Sequence, residues 1–436
     1  MKMMNQKRKY VFLPIMIFSI LVGQTVSRED VIKSSLQSNW INNPYYNYGY
    51  HIGSLKIQND FWQAALKPGI IDSAVGKQVL GSEFSRFGTS VRFQEAYIKY
   101  ENIDYYFLLG RRSLNWGQVS RLSIIQSTLT PPYDQLRFGL NLWNLEFDMF
   151  SGQLNANVEN NKRITRLISS HKLKMKLFNE KLLLGFGEQI IYTGEHRNVE
   201  FFYINPFVPY MFGQIDNDDL SAVGINNDNY MLFFYGKLDL MKNIITYWEL
   251  IVDDYQYNPD PVQDMLGWKI GVSGKLSIAN YNLNWESDYT QIDSWTYIHG
   301  GQFTTWQNRG HAIGYPYGGD LRSFRFQADS WLKKDKVWFN MEYTWLEKGS
   351  INIQTQSANS GTLSDPFPYP PVKVFHMFES SITYHTKYAL LQTGYTNIPF
   401  PYEIANGLIE ELKGGLFFNL QIKLGFEIEM EQDQVE

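Results

Sequence analysis

The polar and apolar positions near the end of the chain alternate almost perfectly from residue 414 to residue 430. The apolar set occupies every second position: Leu416, Phe418, Leu420, Ile422, Leu424, Phe426, Ile428. A period of two places each set on its own face of a β-strand. This strand is longer than the usual ~5–6 residues, and membrane barrels cross the bilayer with about 9–11 residues that alternate apolar-out and polar-in. The segment therefore predicts a transmembrane strand.

The same alternation recurs in shorter segments along the chain: 141–149, 172–177, 280–289, 324–330, 337–345. A helical period of 3.6 would scatter their charged residues around the axis. A soluble β-sandwich also alternates, but here aromatic and leucine-rich faces oppose fully charged faces, which favours a lipid-facing wall around a polar lumen. The pattern predicts an all-β fold, a transmembrane antiparallel β-barrel.

The chain length and the turns fit one barrel. About 409 of the 436 residues remain after the signal segment described below, enough for about 16–18 strands at roughly 20–25 residues per strand and turn. Residues 178–181 read as a short turn between two apolar runs. The polar, Gly-rich or Pro-rich stretches 152–161, 291–319 and 354–371 fit extracellular loops.

The N-terminus predicts a secretory signal peptide over residues 1–27. Four basic residues, Lys2, Lys7, Arg8 and Lys9, precede an apolar run at 11–22 and small residues at 23–27. An uncleaved anchor is the alternative, but the run is shorter than the ~20 apolar residues of a spanning helix. We therefore expect cleavage, and localisation in the outer membrane of a diderm bacterium.

Residues 28–68 have a different pattern. Val31, Ile32, Leu36 and Trp40 have rough helical spacing. They predict either a small N-terminal helical plug or periplasmic cap, or an irregular first strand and loop; the pattern does not separate the two. In the first case the barrel itself would occupy residues 69–436.

Composition narrows the function. The chain has no Cys, which excludes a Cys-linked lipid anchor and disulfides. Removing the four basic residues of the signal peptide takes the net charge from −5 to about −9, which argues against a nucleic-acid partner. The 29 Tyr and 12 Trp fit interfacial girdles and stacking surfaces, or a large core.

Segment 109–117, with Arg111, Arg112, Trp116 and Gly117, resembles the G-R-x(4–5)-W-G core of the Wzi family of capsule-assembly outer-membrane proteins. Segments 201–206 and 249–255 are similar to the aromatic N-P and D-D-aromatic segments of that family, and occur in the family order. The resemblance implies a closed barrel of about 18 strands with helical elements on the periplasmic side. It also implies a monomer that holds or organises capsular polysaccharide at the cell surface.

Six residues are candidates for polysaccharide contact: Arg111, Arg112, Trp116, Trp306, Arg309, Tyr315. Sugars offer hydroxyl groups for hydrogen bonds and C–H faces for aromatic rings, and arginine pairs with acidic groups. The alternative is that the aromatic residues form the core of their own loop. The arginines, and Lys172, Lys174 and Lys176, would then pair with carboxylates on neighbouring strands.

An enzyme has the least support. The seven His residues lack zinc spacing, and no nucleophile-elbow, HExxH or P-loop motif occurs. We expect no catalytic residue, metal or cofactor. The favoured hypothesis is a non-catalytic barrel that binds exported capsular or other surface polysaccharide, with outer-membrane lipid and the barrel-assembly machinery as further partners. A porin-like channel for small solutes or oligosaccharides, and a secreted soluble β-protein, are the alternatives.

Overall fold

A computed structural model describes residues 31–116, 122–213, 227–254, 264–278, 281–298, 303–355 and 365–429. These residues form a closed antiparallel barrel of 18 strands. Its first half comprises β1 Val31–Asn42, β2 Asn47–Gln58, β3 Trp62–Asp72, β4 Thr89–Glu101, β5 Tyr105–Arg112, β6 Tyr133–Leu142, β7 Leu145–Gln153, β9 Lys162–Leu177 and β10 Leu182–Glu195. Its second half comprises β11 Asn227–Met241, β12 Ile244–Asp254, β13 Met265–Ile278, β14 Tyr281–Ile292, β17 Leu321–Lys333, β18 Val337–Lys348, β19 Lys373–His385, β20 Ala389–Thr396 and β21 Gly415–Glu429.

The barrel closes between its first and last strands. Strands β1 and β21 pair antiparallel from Val31↔Glu429 to Asn42↔Phe418. Closure leaves no sheet edge exposed to lipid, as a membrane-spanning sheet requires. The predicted fold and strand number are thus confirmed.

Smaller elements lie in the connections. β8 (Asn157–Glu159) pairs with β9, and β15 (Gln307–Asn308) pairs with β16 (His311–Ala312) in a separate hairpin. The helices are α1 Gly76–Leu80, α2 Pro401–Ala405 and the 3-10 turns Ser73–Val75 and Phe202–Ile204. Within the described ranges, none of the helices has the length and apolar character needed to cross a bilayer.

The two ends of the barrel differ in their connections. Turns as short as 143–144 and 242–243 lie at one end, whereas the other end carries connections such as 113–132 and 293–320. Barrels of this type have short periplasmic turns and longer extracellular loops, so the long connections mark the extracellular end. The predicted turn 178–181 lies at the periplasmic end, between Leu177 and Leu182.

The outer wall follows the predicted alternation. On β21, Leu416, Phe418 and Leu424 are exposed on the outer face, whereas Phe417 on the opposite face is buried. On β14 and β17, lumen-facing Asp288 and Arg325 are opposite each other in the register and form a salt bridge of 3.1 Å.

Two expectations require correction. The described part of the proposed helical plug, residues 31–68, forms strands of the barrel wall. Ile32, Leu36 and Trp40 are spaced by four, and a spacing of four lies on one face of a strand as well as of a helix. The alternating segment 141–149 is also not one strand. Trp143 lies in the turn between β6 and β7 and has a φ of +52°. The predicted signal peptide, 1–27, and Gly117 lie outside the described residues.

The core lies inside the extracellular half of the lumen. Loops 113–132 and 293–320 contribute Trp116, Tyr297, Trp306 and other side chains to one buried cluster. The same cluster includes Phe150 of β7 and Phe375 of β19. The cluster therefore crosses the lumen from one wall to another.

Candidate functional site

A buried arginine holds loop 293–320 inside the barrel. Arg166 of β9 is 1% exposed and donates through Nε and Nη2 to the carbonyls of Phe303 (2.6 Å), Thr305 (2.7 Å) and Gln307 (3.1 Å). The guanidinium fork satisfies backbone groups that burial would otherwise leave unpaired. This loop therefore has a fixed position against the β9 wall.

Buried charges on the nearby strands β12 and β13 hold both loops. Glu249 accepts hydrogen bonds from Ser123 Oγ (3.1 Å) and Ile124 N (2.8 Å), and Lys269 donates to the Leu122 carbonyl at 2.7 Å. One further strand residue, Asp253, accepts from Trp306 Nε1 at 3.0 Å. Charge-assisted hydrogen bonds of this kind are stronger than neutral ones, so the loops are part of the rigid barrel.

The β15–β16 hairpin carries Arg309 at its tip. Arg309 and Gly310 have φ values of +56° and +79°, as in the type I′ turns that join two-residue hairpins. Positive φ is uncommon for a residue with a side chain and concentrates at functional positions. The Arg309 backbone N–H donates to Asn155 Oδ1 at 2.7 Å, and Nη1 donates to the Gly81 carbonyl at 3.1 Å. The tip is thus fixed by two neighbouring extracellular connections.

Two cavities adjoin this tip at the extracellular end, and we call them together the extracellular cleft. One has about 250 Å³ and the other about 210 Å³, and both include Asn155 and Arg309. The charged residues of their lining are Lys77, Glu83, Arg92, Arg111, Asp134, Arg163 and Arg309. The amide side chains are Gln153, Asn155, Asn157, Gln307, Asn308 and Gln354. Basic and amide groups thus dominate the lining.

The electrostatics of the cleft are those of an anion site. Burial and the charge of Arg111 lower the pKa of Arg309, with Glu83 and Asp134 opposing them. Burial is the larger of these causes, and the excess of positive charge is given by the lining itself, which holds five basic and two acidic side chains. The arrangement can chelate a carboxylate or phosphate through guanidinium groups and hydrogen-bond sugar hydroxyls through amides.

Three of the predicted contact residues are buried in the core. Trp116, Trp306 and Tyr315 are at most 1% exposed, so their rings have no face left for a sugar. The prediction of sugar contact does not fit these positions, and the alternative of a loop with its own aromatic core does. A tryptophan or tyrosine in a loop can either contact a sugar or pack in a core, and only the tertiary structure distinguishes the two roles.

The neighbouring arginines of the sequence motif face opposite sides of β5. Arg111 binds Asp134 through Nε (3.0 Å) and Nη2 (2.6 Å) and lines the cleft. The Arg112 guanidinium lies 4.9 Å from the centre of the Tyr97 ring, which faces the lumen. Arg111 and Arg309 are the candidate residues that the structure brings together.

Lumen lysines have carboxylate partners. Lys174 and Lys176 both pair with Glu146, the latter at 2.8 Å, and Lys172 lies 3.8 Å from Asp148. The interpretation of these lysines as structural ion pairs is therefore confirmed. Sequence reasoning missed Arg92, Arg163 and Asn155 in the cleft, since no local pattern separates them from ordinary strand and loop residues.

A third cavity, of about 850 Å³, lies at the periplasmic end. Its lining includes the short-turn residues Lys181 and Lys242 with Asp239, Glu286 and Asp329. Acidic and basic groups are mixed there, and the packed core lies between this cavity and the extracellular cleft. The periplasmic cavity is therefore an inner vestibule of a filled barrel.

Fold and site together define an outer-membrane β-barrel whose extracellular loops fill one half of the lumen and carry a basic cleft. The family model for the capsule assembly protein Wzi matches residues 44–400. The chain belongs to this family and is a protein of the bacterial outer membrane.

Comparison with solved structures gives the same fold. Wzi of Escherichia coli, described as an outer-membrane protein involved in group 1 capsule assembly and as a carbohydrate-binding β-barrel, is 13% identical. The two superpose with a TM-score of 0.61 over 96% of this chain and 89% of that one. OccAB4 of Acinetobacter baumannii (11% identity, TM-score 0.49, 92% and 98% coverage) and OpdK of Pseudomonas aeruginosa (8%, 0.47, 91% and 99%) are more distant. A search of curated proteins finds no match.

Proposed function

We propose that this barrel binds exported capsular polysaccharide in the extracellular cleft and holds it at the cell surface without catalysis. The observation that carries the proposal is that four basic and six amide side chains line the cleft together with the tip residue Arg309, which has a positive φ. Family membership and the carbohydrate binding of Escherichia coli Wzi support it.

The composition of the cleft favours an acidic polymer. Its lining holds two carboxylates, Glu83 and Asp134, against the five cations, and Asp134 is engaged by Arg111. Uronate or phosphate groups of the polymer would pair with the remaining basic side chains, and the amide side chains would form hydrogen bonds with the hydroxyls of neighbouring sugars. Monomeric state and insertion by the barrel-assembly machinery stay predictions.

The test is the affinity of the detergent-folded protein for polysaccharide purified from the source cells, measured by calorimetry at two salt concentrations. Arg309→Gln removes one charge-assisted contact, which we expect to weaken binding by about ten- to a hundredfold, since such contacts contribute roughly 1.5–3 kcal/mol. Because Arg309 also contacts Gly81, the exposed Arg163→Gln is a second cleft variant.

Lys181→Gln, in the periplasmic vestibule, is the matched control and should bind as the parent does. Heat-modifiable migration checks that each variant is folded. If both cleft variants retain full affinity, or if binding is insensitive to salt, the cleft is not the site of an acidic polymer.

A further inference from the structure

Residues 201–213, which follow β10, fold over the outside of the barrel. Lys172 and Lys174 of β9 face the lumen, so the alternating residue His171 faces outward. The Tyr210 ring of the connection lies 4.4 Å from the His171 ring, and Tyr203 lies 4.6 Å from Tyr192 of β10. Residues 201–213 are therefore packed against the outer wall, whereas the described parts of loops 113–132 and 293–320 enter the lumen.

Polar residues lie between residues 201–213 and the strands, on the outer face that in a barrel normally contacts lipid. Glu188 binds His171 Nε2 at 3.2 Å and accepts the Tyr210 backbone N–H at 3.0 Å. Beside them, Ser169 donates to Ser151 at 3.0 Å, and Ser169 has no exposed surface. We call Ser151, Ser169, His171 and Glu188 the outer-wall patch.

The patch lies at the depth of the membrane. Glu188 is six residues from Leu182, the periplasmic end of β10, which is about 16 Å along the barrel axis for a strand tilted by roughly 40°. The apolar band of such barrels is about 25 Å tall. The comparable strand β13 keeps an uncharged outer face from Leu266 to Ile278, whereas β10 places the carboxylate of Glu188 on the outer wall.

The far side of the covering segment is apolar. Residues 201–213 contain no charged residue. Phe201 and Phe207 are 87% and 90% exposed, and Phe212 is half exposed. These rings continue the exposed apolar wall formed by Phe186 and its cross-strand partner Phe234.

We propose that residues 201–213 form a membrane-embedded loop that lies on the outer wall within the outer leaflet. Its inner side supplies partners to the outer-wall patch, and its aromatic outer side contacts lipid acyl chains. Acyl chains are the fitting occupant because the loop surface is uncharged and continuous with the lipid-facing wall. The loop restores an apolar exterior where the wall carries His171 and Glu188.

Site-directed spin labelling tests this directly, because the chain has no Cys of its own. Phe207→Cys and Phe201→Cys are each labelled with a nitroxide in the full-length barrel folded into phosphatidylcholine vesicles. Accessibility to oxygen, which concentrates in the bilayer, is compared with accessibility to a water-soluble nickel chelate. Phe186→Cys is the lipid-facing control, and Phe87→Cys, at a 99% exposed extracellular position, is the water-facing control.

We expect both loop positions to match Phe186→Cys, with an oxygen-to-nickel ratio several times that of Phe87→Cys. Ratios equal to those of Phe87→Cys would place the loop in water and overturn the proposal. Low accessibility to both reagents would show that protein covers the loop, such as a second copy of the chain, and would also overturn it. Two positions are used so that misfolding of one variant leaves the other to decide.

Discussion

In the extracellular half of the lumen, Arg166 and Lys269 are buried and donate hydrogen bonds to loop carbonyls. In the periplasmic half, Lys174 and Lys176 keep 19% and 30% of their side-chain surface exposed and pair with Glu146. The same kinds of side chain therefore position a loop in one half and form partly exposed ion pairs in the other. Burial and backbone partners, more than the charge itself, therefore determine whether a lumen cation stabilises a loop.

The largest expected effect concerns Arg166. Arg166→Met leaves the carbonyls of Phe303 and Thr305 buried without donors, which we expect to cost about 3–5 kcal/mol of unfolding free energy. Urea titration in detergent measures this loss, and protease cleavage within 303–316 reports release of the loop. Arg166→Lys keeps the charge, but a single ammonium group cannot donate to all of these carbonyls. We therefore expect an intermediate loss of unfolding free energy. A Met variant as stable as the parent would show that packing alone holds the loop.

A pH effect of intermediate size is expected from His311. Its ring donates from Nε2 to the Lys77 carbonyl at 2.8 Å and packs on Tyr402. Burial lowers its pKa to about 4, with the charges of Arg92 and Lys77 adding to the effect and the bond to Lys77 opposing it.

In the unfolded chain His311 would titrate at about pH 6.5. The contribution of neutral His311 to the free energy of unfolding is therefore complete above that pH. It declines as the pH falls towards 4, by about 3 kcal/mol in total. His311→Gln keeps a donor but does not titrate, so its unfolding free energy should fall less between pH 8 and pH 4.5. Parallel pH profiles for the two proteins would contradict the assignment.

The smallest effect is expected in the periplasmic half. Lys176→Met removes a partly exposed partner of Glu146, and such pairs contribute about 0–1 kcal/mol. Compared with Arg166→Met by the same urea titration, it should be nearly silent. A loss as large as that of Arg166→Met would mean that the two halves do not differ in the way described.

The local sequence pattern predicted the strands of the barrel but not the packing of the loops inside its lumen. Alternation gave β21 and β14 because each residue's face depends only on its position in the strand. Helical spacing misled at Leu36 and Trp40, because a spacing of four satisfies both periods. The sequence predicted Trp306 and Tyr315 as sugar contacts, but both are buried. Their burial depends on Asp253, Arg166 and other residues far away in sequence, which a local pattern does not report. Arg309 was predicted from its loop, but its strained hairpin tip and its neighbours Arg92 and Asn155 emerge only from the tertiary fold.

In the proposed function, the extracellular loops close the lumen and the polysaccharide is bound above them. Single-channel conductance of the refolded barrel in planar bilayers, with and without the polysaccharide, tests this most directly. We predict electrical silence in both conditions for a protein whose heat-modifiable migration shows that it is folded. Large, steady channels that the polysaccharide blocks would contradict a filled lumen and would favour a porin-like channel.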